Sequence, residues 1–204
     1  MILRRKREGS HWEQMYANQD VETMPWYHAG LDPDFAAALE RYGIDGGEAL
    51  DLCTGPGTQA MALAERGFSV TGTDIAAAAV EKACIRARAA GVEVTFQQND
   101  ILASRLEGSF DVVFDRGCFH LFPAGKRREY VPAVARLIKS GGYLLIKCFS
   151  YLETRPEGPY RIAPNEVESL FGSGFEILAI RHTTFGGHNE KPPPKALFCV
   201  LRKH

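Results

Sequence analysis

Short apolar runs recur along the chain: "EALDLC", "FSVTGTD", "VEVTFQQND", "FDVVFD", "YLLIKCFS", "FEILAIRHTTF" and "ALFCVLRK". Turn-forming residues bound them, the signature of buried strands. Helically spaced stretches lie between many of them: "TQAMALAERG", "IAAAAVEKACIRARAAG" stopped by Gly91, "KRREYVPAVARLIKSGG" ending at a glycine pair, and "PNEVESLFGSG" capped by Asn165. Strands alternating with helices predict a doubly wound, mostly parallel α/β sheet with helices on both faces and right-handed crossovers. The final two strands break the alternation. Their connection, "GGHNEKPPPK", is too short for a crossover helix and its prolines forbid one, so the sheet ends in an antiparallel hairpin.

Upstream, "HWEQMYANQ" predicts a short helix with Ser10 as N-cap and Glu13 three residues on. Pro25 and Gly30 mark a loop. "DPDFAAALERYG" predicts a second helix, capped by Asp32, with Pro33 in its first turn and Gly43 at its exit. The basic run from Leu3 to Arg7 reads as a frayed, solvated tail, with a phosphate or membrane contact as the sharper alternative. No repeat or linker divides the chain. Residues 1–204 are expected to form one domain, with residues 1–30 as an N-terminal helix and covering segment.

Composition narrows the function. The chain has 204 residues, enough for a full core, and a net charge of -1. That balance argues against a general polyanion binder, so no nucleic-acid partner is expected. No apolar run approaches the length of about 18 residues that would span a membrane, and none follows the basic run as a secretory signal requires. Cys53, Cys84, Cys118, Cys148 and Cys199 occur singly, and the histidines lack ligand spacing. Neither a disulfide nor a metal site is expected, a cytoplasmic location fits, and Cys148 and Cys199 read as core residues.

In such a sheet ligands bind beyond the carboxyl ends of the strands, and four strands end in notable residues. The first runs into "DLCTGPGTQA". Gly55, Gly57 and Ala60 also satisfy a dinucleotide loop, but Asp51 sits where a pyrophosphate would be repelled and an ammonium welcomed. The second ends in Asp74, placed to accept ribose hydroxyls or to cap the next helix. The third ends in "QQND", where Asp100 could accept from an adenine amino group and Ile101 pack on the ring; a loop acid and a core isoleucine are the alternative. The fourth runs into "FDRGCFHLFP", a candidate reaction loop carrying Asp115, Arg116, Gly117, Cys118, Phe119 and His120. Alternatively, Phe119 and Phe122 fill core and His120 pairs with a carbonyl.

With these residues the sequence resembles the class I S-adenosylmethionine-dependent methyltransferases along nearly its whole length. The resemblance implies a seven-stranded sheet of order 3-2-1-4-5-7-6. It implies a methionine end held by Asp51, Cys53, Thr54, Gly55 and Gly57, a ribose at Asp74 and Ile75, and an adenine at Asp100 and Ile101. Asp115, Trp12 and Tyr16 join them as expected cofactor contacts. Cys53 stands where the usual motif has a third glycine. The N-terminus is similar to the thiopurine, thiol and halide branch, through Trp12, Tyr16 and Pro25-Trp26-Tyr27. "FDRGCFH", followed by Arg127, Arg128 and Tyr130, also looks like that branch and its neighbours among small-molecule O-methyltransferases.

There the N-terminal segment folds over the cofactor. Trp26, Tyr27, Arg116, Phe119 and His120 would line the acceptor pocket. The implied reaction is in-line transfer of the methyl group to a small-molecule thiol, halide-like or heteroaromatic hydroxyl acceptor, releasing S-adenosylhomocysteine. Tyr16 and Trp26 offer faces to the sulfonium, and His120 is the candidate base, because imidazole titrates near neutrality. A monomer or homodimer is expected. Rival readings are an NAD-dependent oxidoreductase, a methyltransferase for protein or nucleic acid, and a binding module that only senses the cofactor. The loop "GGHNEKPPP" reads as a rim or an exposed turn.

Overall fold

The computed structural model describes residues 2–186 and 192–204. Helix α1 (Ile2–Asn18) leads through a 3-10 turn (Val21–Thr23) and a loop to α2 (Pro33–Tyr42). Then follow β1 (Gly47–Leu52), α3 (Thr58–Ala64), β2 (Phe68–Asp74), α4 (Ala77–Ala90), β3 (Thr95–Gln98) and β4 (Phe110–Arg116). The chain finishes with α5 (Ala124–Ala135), β5 (Ile138–Phe149), α6 (Pro164–Phe171), β6 (Phe175–Thr184) and β7 (Lys195–Lys203). The seven strands form one sheet in the order β3-β2-β1-β4-β5-β7-β6. All pairs are parallel except those of β7, which runs antiparallel to both β5 and β6.

The two-residue period of the central strands divides the core. Leu50, Leu52, Val113, Leu144 and Ile146 face Tyr130 and Val134 of α5 and Val167 and Phe171 of α6. Their neighbours Ala49, Val112, Phe114 and Leu145 face Phe35 and Leu39 of α2 and Ala60 and Leu63 of α3. Both faces are covered, so these strands carry apolar residues at successive positions, as parallel strands do. Cys148 and Cys199 are fully buried, as read.

Four local expectations are corrected. The run from Leu3 to Arg7 is helical, because α1 begins at Ile2 and passes through Ser10, which therefore caps nothing. Leucine, arginine and lysine are strong helix formers, and one interior glycine costs only about 1 kcal/mol. Asn165 lies inside α6, where Pro164 occupies the first turn and Ala163 the cap position without a side-chain bond. The pair Gly141-Gly142 does not end α5, which stops at Ala135; it lies within β5. There a Cβ on Gly142 would sit 2.9 Å from the Asp111 carbonyl, so the pair serves the close approach of β4 and its register shift. The fourth correction concerns cysteine and belongs to the site. Residues 187–191 of the proposed rim loop lie outside the described residues.

Candidate functional site

The carboxyl ends of β1, β2, β3 and β4 open into a cavity of about 1170 Å³, and a smaller recess of about 60 Å³ shares Tyr16, Trp26, Leu52, Cys53 and Arg116 with it. Asp51 forms the floor of the recess. It is 2% exposed and accepts from the Thr54 hydroxyl at 2.6 Å and the Gln59 amide at 2.9 Å. Asp74 accepts from the Gly55 N–H at 3.0 Å and the Ala76 N–H at 3.0 Å, so it both ties the glycine loop to β2 and steadies the entry to α4. Burial pushes Asp51 up to about 6, against its bonds from Thr54 and Gln59. Burial likewise lifts Asp74 to about 6, against its bonds from backbone N–H groups. No ion pair with lysine or arginine reaches either among the described residues. A cation placed here would restore both charges.

The glycine loop explains its composition. Gly55 is left-handed, and a Cβ there would sit 2.7 Å from the Tyr16 hydroxyl. Gly57, also left-handed, is not a cavity residue as expected: a Cβ there would meet the Phe96 ring at 2.7 Å, so it is glycine for packing. Cys53 takes φ 52, a left-handed conformation that a glycine would adopt without strain, which accounts for the residue found there in the family motif.

The N-terminal segment closes over this loop. Trp26 donates its indole N–H to the Tyr16 hydroxyl at 3.2 Å and stacks edge-on against Trp12 at 5.5 Å. Glu13 accepts from the Ala78 N–H at 3.2 Å, which pins α1 to the start of α4. Trp12, Tyr16, Ile75, Asp100 and Ile101 all line the larger cavity, with Asp100 also capping the turn after β3 through the Leu102 N–H at 2.9 Å. Tyr27 lines the recess only, and its hydroxyl accepts from Arg86 at 3.1 Å.

Three expectations at β4 are corrected. Asp115 does not face the cavity. Its carboxylate is consumed by the Cys118 N–H at 2.7 Å, the Phe119 N–H at 3.0 Å and the Tyr130 hydroxyl at 2.6 Å, and it organises the turn from within. Phe119 is fully buried against Tyr130 and Phe171, a core residue and not a pocket wall. His120 lines the cavity, but its Nδ1 accepts from the Phe149 N–H at 2.9 Å. Its proton is therefore on Nε2, and no lone pair is left for a base. Burial, with Arg116 and Arg127 nearby, pushes the ring down to about 3.

Arg116 donates to Asp32 at 2.9 Å and to the carbonyls of Trp26 and Gly186 at 3.1 and 3.3 Å, so it clamps the covering segment to the end of β4. The expectation of no disulfide is also corrected. Cys53 and Cys118 are joined, with Cα atoms 5.6 Å apart. They are separated by 65 residues in sequence, and only the pairing of β1 with β4 brings them together.

Sequence reading missed several residues. Gln59 bonds Asp51, and among the described residues its buried Oε1 and the buried Asn99 amide nitrogen have no hydrogen-bond partner. Both stood in quoted motifs, "GTQA" and "QQND". The far end of the cavity is walled by Phe149, Phe185, Tyr160, Arg155 and Arg161. Most come from the connection between β5 and α6, whose proline, arginine and tyrosine content was the available signal.

These features fit a cofactor with an ammonium, a ribose and a base: two buried acids without an ion-pair partner and two amide atoms without a hydrogen-bond partner among the described residues, and a glycine loop open to the recess. Residues 49–142 match the family described as a methyltransferase domain. A probable thiol methyltransferase of Arabidopsis thaliana is 27% identical over 83% of this chain and 75% of its own length. A 2-heptyl-1-hydroxyquinolin-4(1H)-one methyltransferase of Mycobacteroides abscessus is 28% identical over 78% of this chain and 73% of its own. An uncharacterised methyltransferase of Schizosaccharomyces pombe is 33% identical over 50% of this chain and 70% of its own. Among solved structures, one described as "Conversion of a Disulfide Bond into a Thioacetal Group during Echinomycin Biosynthesis" superposes with a TM-score of 0.81, at 24% identity, over 96% of this chain and 92% of that one. Fold, site and family match converge: the chain belongs to the class I S-adenosylmethionine-dependent methyltransferases.

Proposed function

We propose that the protein methylates a small planar aromatic or heteroaromatic acceptor at a sulfur or oxygen that ionises by itself near neutral pH. The observation that carries this reading is the wall of the far cavity. The Phe149 and Phe185 rings lie 5.4 Å apart, tilted at 48° to each other, His120 stands edge-on to Phe149 at 5.1 Å, and the Arg116 guanidinium lies 5.2 Å from the Phe185 ring centre. Such a surface suits a flat ring carrying negative charge. Two relatives bear names with compatible acceptors, a thiol and a hydroxyquinolinone. A halide has no ring for this wall to grip. An aliphatic alcohol would need a base, and His120 has no lone pair to offer.

S-adenosylmethionine, when bound, supplies an activated methyl group on a sulfonium. The protein's own share is binding, orientation and exclusion of water. Asp51 and the Gln59 Oε1 would hold an ammonium in the recess. Asp74 would accept from ribose hydroxyls, and Asp100, Asn99 and Ile101 would hold the base. Tyr16 and Trp26 would turn aromatic faces to the sulfonium, worth about 0.5–2 kcal/mol each. His120 would donate its Nε2–H to the acceptor and fix its orientation.

The test is release of S-adenosylhomocysteine across a panel of aromatic thiols, hydroxylated heteroaromatics, aliphatic thiols, alcohols and halides. Turnover of the aromatic sets at kcat/KM about two- to tenfold above the others is expected, since a positioned aromatic contact is worth about 0.5–1.5 kcal/mol beyond burial. Preference for halides or alcohols would refute the reading. His120→Ala should raise KM and leave the pH profile unchanged; a lost titration limb would restore the histidine as a base.

A further inference from the structure

We propose that Cys53 and Cys118 form a thiol–disulfide exchange site in the wall of the cofactor cavity, open to small thiols and shielded when the cofactor is bound. A Cα separation of 5.6 Å lies within the range a disulfide bridges without backbone movement. Both cysteines line the large cavity, and Cys53 also lines the recess above Asp51. Cys118 is fully buried and its N–H is pinned by Asp115 at 2.7 Å, whereas Cys53 is only partly buried. A thiol entering through the cavity therefore meets the Cys53 sulfur. Cys148 and Cys199 are sealed in the core, where burial keeps both thiols protonated. Cys84 is part-exposed on α4 and does not line the cavity. Among the described residues, only the Cys53–Cys118 pair combines proximity with access.

The chemistry needs a small thiol of the glutathione class. Its thiolate attacks the Cys53 sulfur, the protein S–S bond breaks, and Cys118 leaves as a thiolate that takes a proton from water. A second thiolate attacks the small-molecule sulfur of the mixed disulfide, releasing the small disulfide and leaving Cys53 as a thiolate. Two small thiols are oxidised and one protein disulfide is reduced; the small disulfide runs the sequence in reverse. Cys53 directly precedes Thr54 and Gly55, whose contacts build the methionine end. A ligand seated there covers the line of attack. This last step rests on the cofactor assignment; the exchange itself does not.

The full-length protein is equilibrated across glutathione to glutathione-disulfide ratios, quenched with acid and N-ethylmaleimide, and digested without reduction. Mass spectrometry then reads the linked peptides. A Cys53–Cys118 cross-link whose fraction follows the glutathione ratio is expected, with Cys148 and Cys199 unlinked. Absence of that cross-link at the most oxidising ratio overturns the proposal. Saturating S-adenosylhomocysteine should slow its reduction by about tenfold or more, because access controls exchange. An unchanged rate, with binding confirmed by calorimetry, overturns the shielding. If calorimetry finds no binding, the cofactor assignment fails while the cross-link still decides the exchange site. Cys118→Ala should instead carry glutathione on Cys53; an unmodified Cys53 in that variant overturns the access argument.

Discussion

Asp51 carries a cost in stability that the proposed ammonium site would offset. Its folded carboxyl is raised by burial to about 6, above its ordinary value of 3.8. A raised carboxyl stabilises the fold only while protonated: the contribution is full below the ordinary value and is lost as pH rises through about 6. Asp74 and Asp115 are raised to about 6 in the same direction, so the ligand-free protein loses stability across that window. A bound ammonium favours ionised Asp51. Affinity for S-adenosylhomocysteine should therefore rise between about pH 5 and pH 7, with a logarithmic slope approaching about one for that group; a flat calorimetric profile would remove Asp51 from the site. Asp51→Asn should bind about 10- to 100-fold more weakly, since a hydrogen bond to a charged group is worth about 1.5–3 kcal/mol. Its ligand-free melting temperature at neutral pH should not fall.

Glycine acts at the scale of elements, and the reasons differ between loops. Gly43 and Gly91 are left-handed ends of α2 and α4, and a Cβ on either meets nothing within 4 Å. Gly57 starts α3 with φ 77, and its Cβ would strike the Phe96 ring of β3 at 2.7 Å and Ala83 of α4 at 3.0 Å. Gly91→Ala should cost about 1–2 kcal/mol in urea unfolding, the left-handed penalty alone. Gly57→Ala should cost that plus about 1–3 kcal/mol of overpacking. Equal losses at the two positions would mean that Phe96 does not pack as described. The same contact ties the glycine loop to β3, so loop position depends on a side chain two strands away.

Across the whole molecule, one buried ion network holds the site together. Lys147 of β5 is 1% exposed and reaches Asp32 at 2.7 Å and Asp34 at 2.7 Å, while Arg116 of β4 also pairs with Asp32. Burial would raise Asp32, but Lys147 and Arg116 outweigh it and hold the carboxyl below its usual range. The stability it contributes is present above the ordinary carboxylate range and is lost as pH falls through the lowered value. Lys147→Met should destabilise by about 3–5 kcal/mol, because it strips a buried acid of a partner. Asp32→Asn combined with Lys147→Met should recover part of that loss in denaturant melts; a strictly additive pair would show that the two charges are not coupled. Since Arg116 also holds the Trp26 and Gly186 carbonyls, loosening the network should loosen the cover over the cavity.

Much of this protein was legible in order along the chain. Strand and helix alternation, the glycine loop, the acids Asp51, Asp74 and Asp100, and the cap at Asp32 are local patterns. Local sterics and hydrogen bonding enforce them wherever the segment lies. Side-chain direction was not local. Asp115 and Phe119 sit in the expected loop yet point into the core, because Tyr130 and Phe171 of α5 and α6 arrive there from elsewhere. His120 lost its basic lone pair to an N–H of β5. Lys147 lies in an apolar strand, and only the packing of α2 gives it two acids. Cys53 and Cys118 became a pair only when β1 and β4 lay side by side. The sequence by itself determined the elements and the acids at their ends, since these follow from short-range periodicity. The tertiary structure alone decided which groups meet, since contact between distant segments is set by sheet order and packing.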